Sequence, residues 1–383
     1  MPVPALPSEL WHEILGNLRS EPATLSRCAL VCRAMVFPAH QYLFSTLYVD
    51  ERNLDPLLRH LTSSNPPAFL EHIQHLYIYV WGNLRSNLLL RKTFRKESER
   101  IHVLLQLLPR LSHFSNNIVE LTLDACREFA PADWDGAWTG GIVAALPALP
   151  KLTIRSTSFG KPADFVHLIA AFAHLAHLAA VDIGTPDQVE AAITRRRRPP
   201  GTMHTLTYRS GDSLTGGMPF LRWITRHPGQ LTDLNLSISE QVRDTSVAVF
   251  LIAALGDQLE NLSLAFFLPS RCCWNGLTLS PNTGLRTLIL RSGSDFGEHL
   301  PHLIQTIQSA IESITVGSVE KITQDVWPRF TEALAAIRSL KRVTFYANHA
   351  MPAKNWAAQF SVKYAQLWSR GIVVFENRNP RQW

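Results

Sequence analysis

His12-Glu13 opens the pattern in which two histidines four residues apart on a helix hold zinc while the glutamate beside the first serves as general base. Gly16 stands where the second histidine must be, so that chemistry is excluded. His174 with His177, and His299 with His302, lie three residues apart in stretches of helical spacing, close enough to share a cation. Neither pair has a third ligand at a suitable spacing, and histidines on a solvated helix face are the simpler account. The chain has no Gly-x-Ser-x-Gly turn, no glycine loop to cradle a phosphate and no cysteine-histidine zinc spacing. The expectation is a protein that is not an enzyme, with no metal and no cofactor.

Charge is the remaining chemistry. Arg195 to Arg198 form the strongest basic run, followed by Pro199-Pro200-Gly201. At a helix end such cations gain about 0.3–1 kcal/mol from the negative end of the dipole. A solvated helix end accounts for the run, and so does a nuclear-import or acidic-partner role.

The elements that would position any site come from a repeat. Leu231-Thr232-Asp233-Leu234-Asn235-Leu236 puts apolar residues at its first, fourth and sixth positions, the last two on one face of a short strand. Copies begin at Phe44, Ile73, Ile118, Leu149, Leu178, Met203, Leu231, Leu259, Leu285, Ile311 and Leu340, at intervals of 25 to 31 residues except for one of 45. A strand this short cannot bury its face alone, and copies at a steady interval bury it against one another. Helical stretches fall between copies: 100–111, 163–175, 187–194, 245–255, 299–311 and 325–340. Parallel neighbours need such crossovers. Two segments break the period: a polar insertion over 82–99, and 265–284, where Pro269, Cys272, Cys273, Trp274 and Pro281 replace a clear helix. After Leu340, a long helix is expected over 352–370, then a last strand over 371–375 and a polar end. On the sheet face away from the helices, one row reads Tyr79, Asp124, Arg155, Gly184, Arg209, Ser237, Ala265, Arg291, Gly317 and Tyr346. Tyr79, Arg155, Arg209, Arg291 and Tyr346 suit a peptide with acidic or phosphorylated side chains, because guanidinium forks pair bidentately with such anions. A mixed, solvated face with unrelated arginines is the alternative.

Residues 6–44 differ in kind. Proline enters the first turn of two helices at Pro7 and Pro22, and a third helix is expected from about Pro38 to Phe44. Leu10, Trp11, Ile14, Leu15 and Leu18 fall on one broad face. The run Leu6-Pro7-x-Glu9-Leu10-x-x-x-Ile14-Leu15-x-x-Leu18, then Leu25-x-x-Cys28-x-Leu30-Val31-Cys32-Arg33, and Leu43-Phe44 resembles the F-box, with Met35 where the family usually has tryptophan. The array that follows resembles degenerate leucine-rich repeats. The resemblance implies an α/β chain with a three-helix F-box over 1–44, then a curved leucine-rich-repeat-like solenoid over 45–383 with a parallel sheet on its concave face. It further implies a substrate-recognition subunit of a cullin-RING ubiquitin ligase. Leu6, Pro7, Glu9, Leu10, Ile14, Leu15, Leu18, Leu25, Leu30, Val31, Cys32 and Arg33 would meet a Skp-type adaptor, and the repeats would hold a protein substrate. An amphipathic helical cap on a repeat scaffold that only binds protein is the alternative.

The composition fits this reading. Of 383 residues, 46% are apolar and 18% charged, the balance of a folded globular chain. Five cysteines without a Cys-x-x-Cys pair favour reduced thiols inside a cell, in cytoplasm or nucleus. The first residues lack the basic start and apolar run of a signal peptide, and 165–181 is too short and too rich in histidine to span a bilayer. A net charge of +6 permits an acidic partner without requiring one; neither membrane nor nucleic acid is expected as a partner.

Overall fold

The computed structural model describes residues 6–50, 52–63, 65, 67–80, 103–125, 136–157, 159, 162–184, 197–210, 218–239, 245–266, 276–292, 299–317, 322–347 and 353–377. The insertion over 82–99, the helix expected over 187–194, Arg195, Arg196 and the Cys272-Cys273-Trp274 segment lie outside these residues. The chain divides into two compact units, Met1–Leu175 and Ala176–Trp383.

The first unit opens with helices α1 (Ser8–Gly16), α2 (Pro22–Val31) and α3 (Arg33–Leu43). Their small core is Leu15, Leu25 and Ala39, with Leu18, Cys28, Met35, Tyr42 and Leu43 packed against it. The third helix starts five residues before the expected Pro38, which sits buried inside it. Extended Cys32 separates α2 from α3, and Met35 joins the core from the first turn that the proline argument left out. Gly16 is where Tyr42 crosses α1: a Cβ there would lie 3.1 Å from the phenol oxygen, which donates to the His12 carbonyl at 2.9 Å. A core of this size is marginal alone. The helices lean on the repeats through Phe37 against His72 and Phe44 against Phe69, ring centroids 5.2 and 5.1 Å apart.

Strands β1 (Thr46–Val49), β2 (His75–Val80), β3 (Glu120–Ala125) and β4 (Lys151–Arg155) follow, each parallel to the next. The second unit carries β5 (His177–Val181), β6 (Thr205–Arg209), β7 (Asp233–Ile238), β8 (Asn261–Phe266), β9 (Thr287–Ser292), β10 (Ser313–Val316), β11 (Arg342–Ala347) and β12 (Val373–Asn377). These are parallel neighbours in chain order. Both units are therefore α/β and built like leucine-rich repeats, with in-register parallel strands and helical crossovers.

The repeat is written into the hydrogen bonds. In the first unit one carbonyl at each step accepts two successive amides of the next copy: Ser45 takes Gln74 and His75, and Gln74 takes Val119 and Glu120. In the second unit Ala176, His204, Thr232, Glu260, Arg286 and Glu312 do the same, and all these bonds span 2.8–3.1 Å. The sixth-position residue of each copy needs its neighbour for burial: in the cleanest one Leu231, Leu234 and Leu236 are 0, 2 and 0% exposed. Burying one such side chain is worth roughly 1.5–3 kcal/mol before the entropy of ordering it.

One copy was set in the wrong register by the pattern. Every first apolar position stands two residues before its strand except Leu178, which lies inside β5 with Ala180 buried beside it. The equivalent residue is the fully buried Leu175, three positions earlier. The alanine at 180, where the other copies have a larger aliphatic or aromatic residue, hid this frame.

The helices also differ from expectation in length. The stretch over 299–311 yields only Leu300–Gln305, and that over 352–370 breaks into Ala353–Lys363 and Ala365–Trp368. Where the second break in the period ends, Leu277 and Leu279 are buried without a helix. Asn282, fully buried, donates from Nδ2 to the carbonyls of Ile252 and Gly256 at 2.8 and 3.0 Å, serving the orphan acceptors at the end of the helix Ser246–Leu255. The second unit closes on an aromatic cluster in which Trp327 meets the rings of Phe330, Phe345, Trp356, Phe360 and Tyr364 within 6.2 Å.

Candidate functional site

Two surfaces can do work, and both follow from which residues the local structure turns outward. The first belongs to α1 and α2. Leu15 and Leu25 face inward at 1 and 0% exposure, and Leu18 is half-buried against them. Of the residues expected to meet an adaptor, these three form the support. Leu10 and Ile14, one helical turn apart, remain 41 and 46% exposed, and Leu6 just before the helix 44%. At the end of α2, Leu30 and Val31 are 85 and 70% exposed. Pro7, Glu9, Cys32 and Arg33 are also exposed. Isolated surface leucines are ordinary, but apolar residues in series on a short helix are a feature of binding surfaces.

The second surface is the sheet face away from the buried aliphatic residues. In the first unit Tyr79, Asp124 and Arg155 are register partners on β2, β3 and β4. One pleat earlier lie Tyr48 and Tyr77, whose ring centroids are 5.3 Å apart, with Tyr77 to Tyr79 6.3 Å. The Tyr77 hydroxyl donates to Asp124 Oδ2 at 2.6 Å. Burial, and after it the bond to Asp124, pushes the Tyr77 phenol up to about 12. At the start of the strands Glu120 Oε2 joins His75 Nδ1 at 3.1 Å and Lys151 Nζ at 3.0 Å. The result is a band of tyrosines flanked by alternating charge.

In the second unit Arg209 and Arg291 stand on β6 and β9, three strands or about 14 Å apart, with Ser237 and Ala265 between them in register. They form no joint clamp for one anion. The register correction replaces Gly184 in this row by Val181, the partner of Arg209. Arg291 and Tyr346 do interact electrostatically, Gly317 placing no side chain between them. Burial pulls the Arg291 guanidinium below its ordinary value, and Tyr346 opposes that. The Tyr346 phenol is pushed up by burial and then by Glu376, its register partner, which also holds Arg342 Nη2 at 2.9 Å. Arginine and tyrosine here belong to a prearranged network rather than to an open anion cradle.

Sequence reasoning missed Tyr48, Tyr77, Arg342 and Glu376, because it followed one outward position per strand. The pleat makes the outward positions two residues before and after equivalent, and that rule would have found Tyr48 and Tyr77; Arg342 stands two pleats before Tyr346, and Glu376 lies one residue past the expected end of the last strand.

His174 and His177 do not share a helix, and His299 and His302 stand at the start of the helix Leu300–Gln305. His177 lies on β5 with its ring 4.5 Å from that of His204, while His174 lies in the preceding turn. Among the described residues no group of three or more His, Cys, Asp or Glu could hold a metal ion, and no helix is long and apolar enough to cross a membrane.

No protein-family model and no curated protein matches the chain. Among solved structures, an internalin from Listeria monocytogenes aligns with 12% identity and a TM-score of 0.30, over 80% of this chain and 82% of its own. The repeat architecture is read from the strand register and the carbonyl pattern of the chain itself.

Proposed function

We propose that this chain is a substrate receptor of a cullin-RING ubiquitin ligase, with residues 1–44 docking on a Skp-type adaptor and the repeats from 45 onward holding a protein target. The observation that carries the reading is the split within the helical unit. Leu15 and Leu25 complete a core, while Leu6, Leu10, Ile14, Leu30 and Val31 are left outside it on the segments that resemble the F-box. The chain then performs no bond chemistry. It acts by proximity: a target held on the sheet face is presented to a transferring enzyme bound elsewhere, which raises its effective concentration there. Tyr48, Tyr77, Tyr79, Asp124 and Arg155 in the first unit, and Arg209, Arg291 and Tyr346 in the second, are the contacts assigned to the target.

The test is co-elution of the purified chain with a purified Skp-type adaptor. Wild type is expected to co-elute, and Leu10→Asp/Ile14→Asp to elute alone with an unchanged circular-dichroism spectrum. Equal co-elution of that variant sinks the reading. A second reading, a repeat scaffold whose helices only cap the first strands, is favoured by the seating of Phe37 and Phe44 on His72 and Phe69. It predicts no adaptor complex for wild type.

A further inference from the structure

Tyr48 is 61% exposed although its strand pairs in register with β2 and its ring meets that of Tyr77. Thr122, the register partner of Tyr77 on β3, is short and buried, and the Tyr77 ring leans across it to reach Asp124. Tyr79 follows on the same strand, its ring 6.3 Å from that of Tyr77. Three phenol rings therefore crowd a strip two strands wide, with a carboxylate on the next strand. Among the described residues no cation stands over the Tyr48 or Tyr77 ring, whereas Arg19 lies 6.0 Å from the ring centre of Tyr42.

The charges around the strip are nearly balanced, so their placement decides what it attracts. Asp124 accepts the Tyr77 hydroxyl and has no other side-chain partner among the described residues, and an ionised carboxylate has acceptor sites for more than one donor. Arg155, its register partner, is exposed and stands on the side of Asp124 away from the tyrosines. At the start of the strands Glu120 is shared by His75 and Lys151. Past the end of β1 Asp50 accepts the amides of Arg52 and Asn53 through Oδ1, and the Arg52 side chain is exposed. At the Tyr77 hydroxyl the carboxylate prevails: Asp124 raises the phenol more than Arg155 lowers it.

We propose that this strip seats a cationic side chain of the bound protein, an arginine laid over Tyr48 and Tyr77 with its guanidinium donating to Asp124. The inference rests on the reading of this sheet face as the target surface, and it names the chemistry that surface selects. A ring quadrupole attracts a cation within about 6 Å of its centroid. A planar guanidinium both stacks on the ring and presents a fork of donors to a carboxylate, which an ammonium cannot do. Because the Tyr77 hydroxyl already touches Asp124, a guanidinium over the outer half of that ring comes within reach of the same carboxylate. Nucleic-acid bases also stack on aromatic rings, but their phosphates would meet Asp124 and Glu120.

The experiment titrates the full chain, carbon-13 labelled at tyrosine, with a capped glycine-serine peptide bearing one arginine, at about 0.15 M salt, where loose surface attraction is screened. The Tyr48 and Tyr77 ring signals should move saturably, and those of Tyr208 and Tyr364 in the second unit should not. A twin peptide with citrulline, the uncharged isostere, should bind about tenfold more weakly or worse, and a lysine twin severalfold more weakly. Asp124→Asn should weaken the arginine peptide severalfold. Tyr48→Leu should do the same, and as a change at an exposed position it keeps the test available if Asp124→Asn impairs folding. Arg155→Gln should leave binding unchanged or tighten it. Absence of saturable shifts overturns the proposal, as do equal affinities for arginine and citrulline, wild-type affinity in both Asp124→Asn and Tyr48→Leu, or weakening by Arg155→Gln. A glutamate peptide or a single-stranded oligonucleotide that moves Tyr48 and Tyr77 at lower concentration than the arginine peptide also overturns it. Adaptor co-elution is read on the same preparation by a separate measurement, so a failure there and a failure here are told apart.

Discussion

Tyr77 donates its hydroxyl to the Asp124 carboxylate across the β2–β3 ladder, Oη to Oδ2 2.6 Å, at a non-matching register: Tyr77 pairs in the sheet with Thr122, and Asp124 with Tyr79. The diagonal bond fixes the tyrosine ring against Tyr48 and Tyr79 and orients the band assigned to the target.

The pair predicts a pH response whose sign is fixed. Tyr77 keeps its proton up to about 12 in the folded chain, against an ordinary value of 10.0. The unfolded chain therefore loses the proton first, and the stability contributed by this pair is whole below the ordinary value and lost as pH rises towards the folded one. Asp124→Asn removes the charge and the carboxylate acceptor and should move Tyr77 down towards the ordinary value, burial holding it somewhat above. Carbon-13 NMR of labelled tyrosine, with Tyr77→Phe for assignment, reads this directly. A Tyr77 titration that Asp124→Asn leaves in place would refute the bond.

The turn before β9 predicts two costs. A Cβ on Gly284 would fall 1.9 Å from the Asp257 carbonyl oxygen, backbone that cannot swing away, so Gly284→Ala should destabilise by about 3 kcal/mol in urea unfolding. Asn282→Ala leaves the Ile252 and Gly256 carbonyls buried without their donor and should cost about 2 kcal/mol. Values near zero for both would mean the turn is held otherwise.

Legibility in the sequence followed the strength of the local signal. The strands were readable because Leu, Ile and Val recur at positions whose burial the register enforces, and the one slip came at Leu178, where Ala180 weakened that pattern. The helices were less readable. Met218–Arg226 and Leu54–Thr62 went unmarked because each is only nine residues long with a proline in its first turn, although Phe220, Leu221, Trp223 and Ile224 in one and Leu54, Leu57 and Leu61 in the other are buried; the core of the unit, rather than propensity, makes them helical. The arginine row was legible as residues but not as a site, because strand spacing separates Arg209 from Arg291 and a distant Glu376 engages Tyr346. Asn282 and Arg370 left no trace, since a single polar residue reaching a remote carbonyl has no periodicity.

Arg370 supplies the next prediction. Its guanidinium donates to the carbonyls of Ala335, Ile337 and Leu340 at 3.3, 3.1 and 3.2 Å, closing the end of the helix Val326–Ala336 and the turn into β11. A cation at a helix C-terminus with three acceptors combines capping and dipole stabilisation. Arg370→Met keeps most of the apolar stem, removes every donor and should cost about 2 kcal/mol. Lysine, a single donor centre, should recover less than half. A melting temperature for Arg370→Met equal to wild type would show the carbonyls to be served by water.

Ile14 and Leu15 are adjacent on α1, and the proposed function requires opposite responses from them. Leu15, 1% exposed, completes the core with Leu25 and Ala39, so Leu15→Ala removes buried methyl groups and leaves a cavity at about 3 kcal/mol. Such a loss in so small a core should also loosen Tyr42 from the His12 carbonyl. Ile14, 46% exposed, has little to lose in the isolated chain: Ile14→Ala should change stability by no more than about 0.5 kcal/mol. In complex with the adaptor the order reverses. Ile14→Ala should lower affinity severalfold at unchanged fold, and Leu15→Ala should act only through the fraction of chain unfolded. Proton-exchange protection of α1 amides, measured with and without adaptor, separates the two: adaptor should raise protection in wild type and hardly at all in Ile14→Asp. If Ile14→Ala destabilises the free chain as much as Leu15→Ala, the exposed stripe is part of the fold, and the helices cap the repeats instead of reaching for a partner.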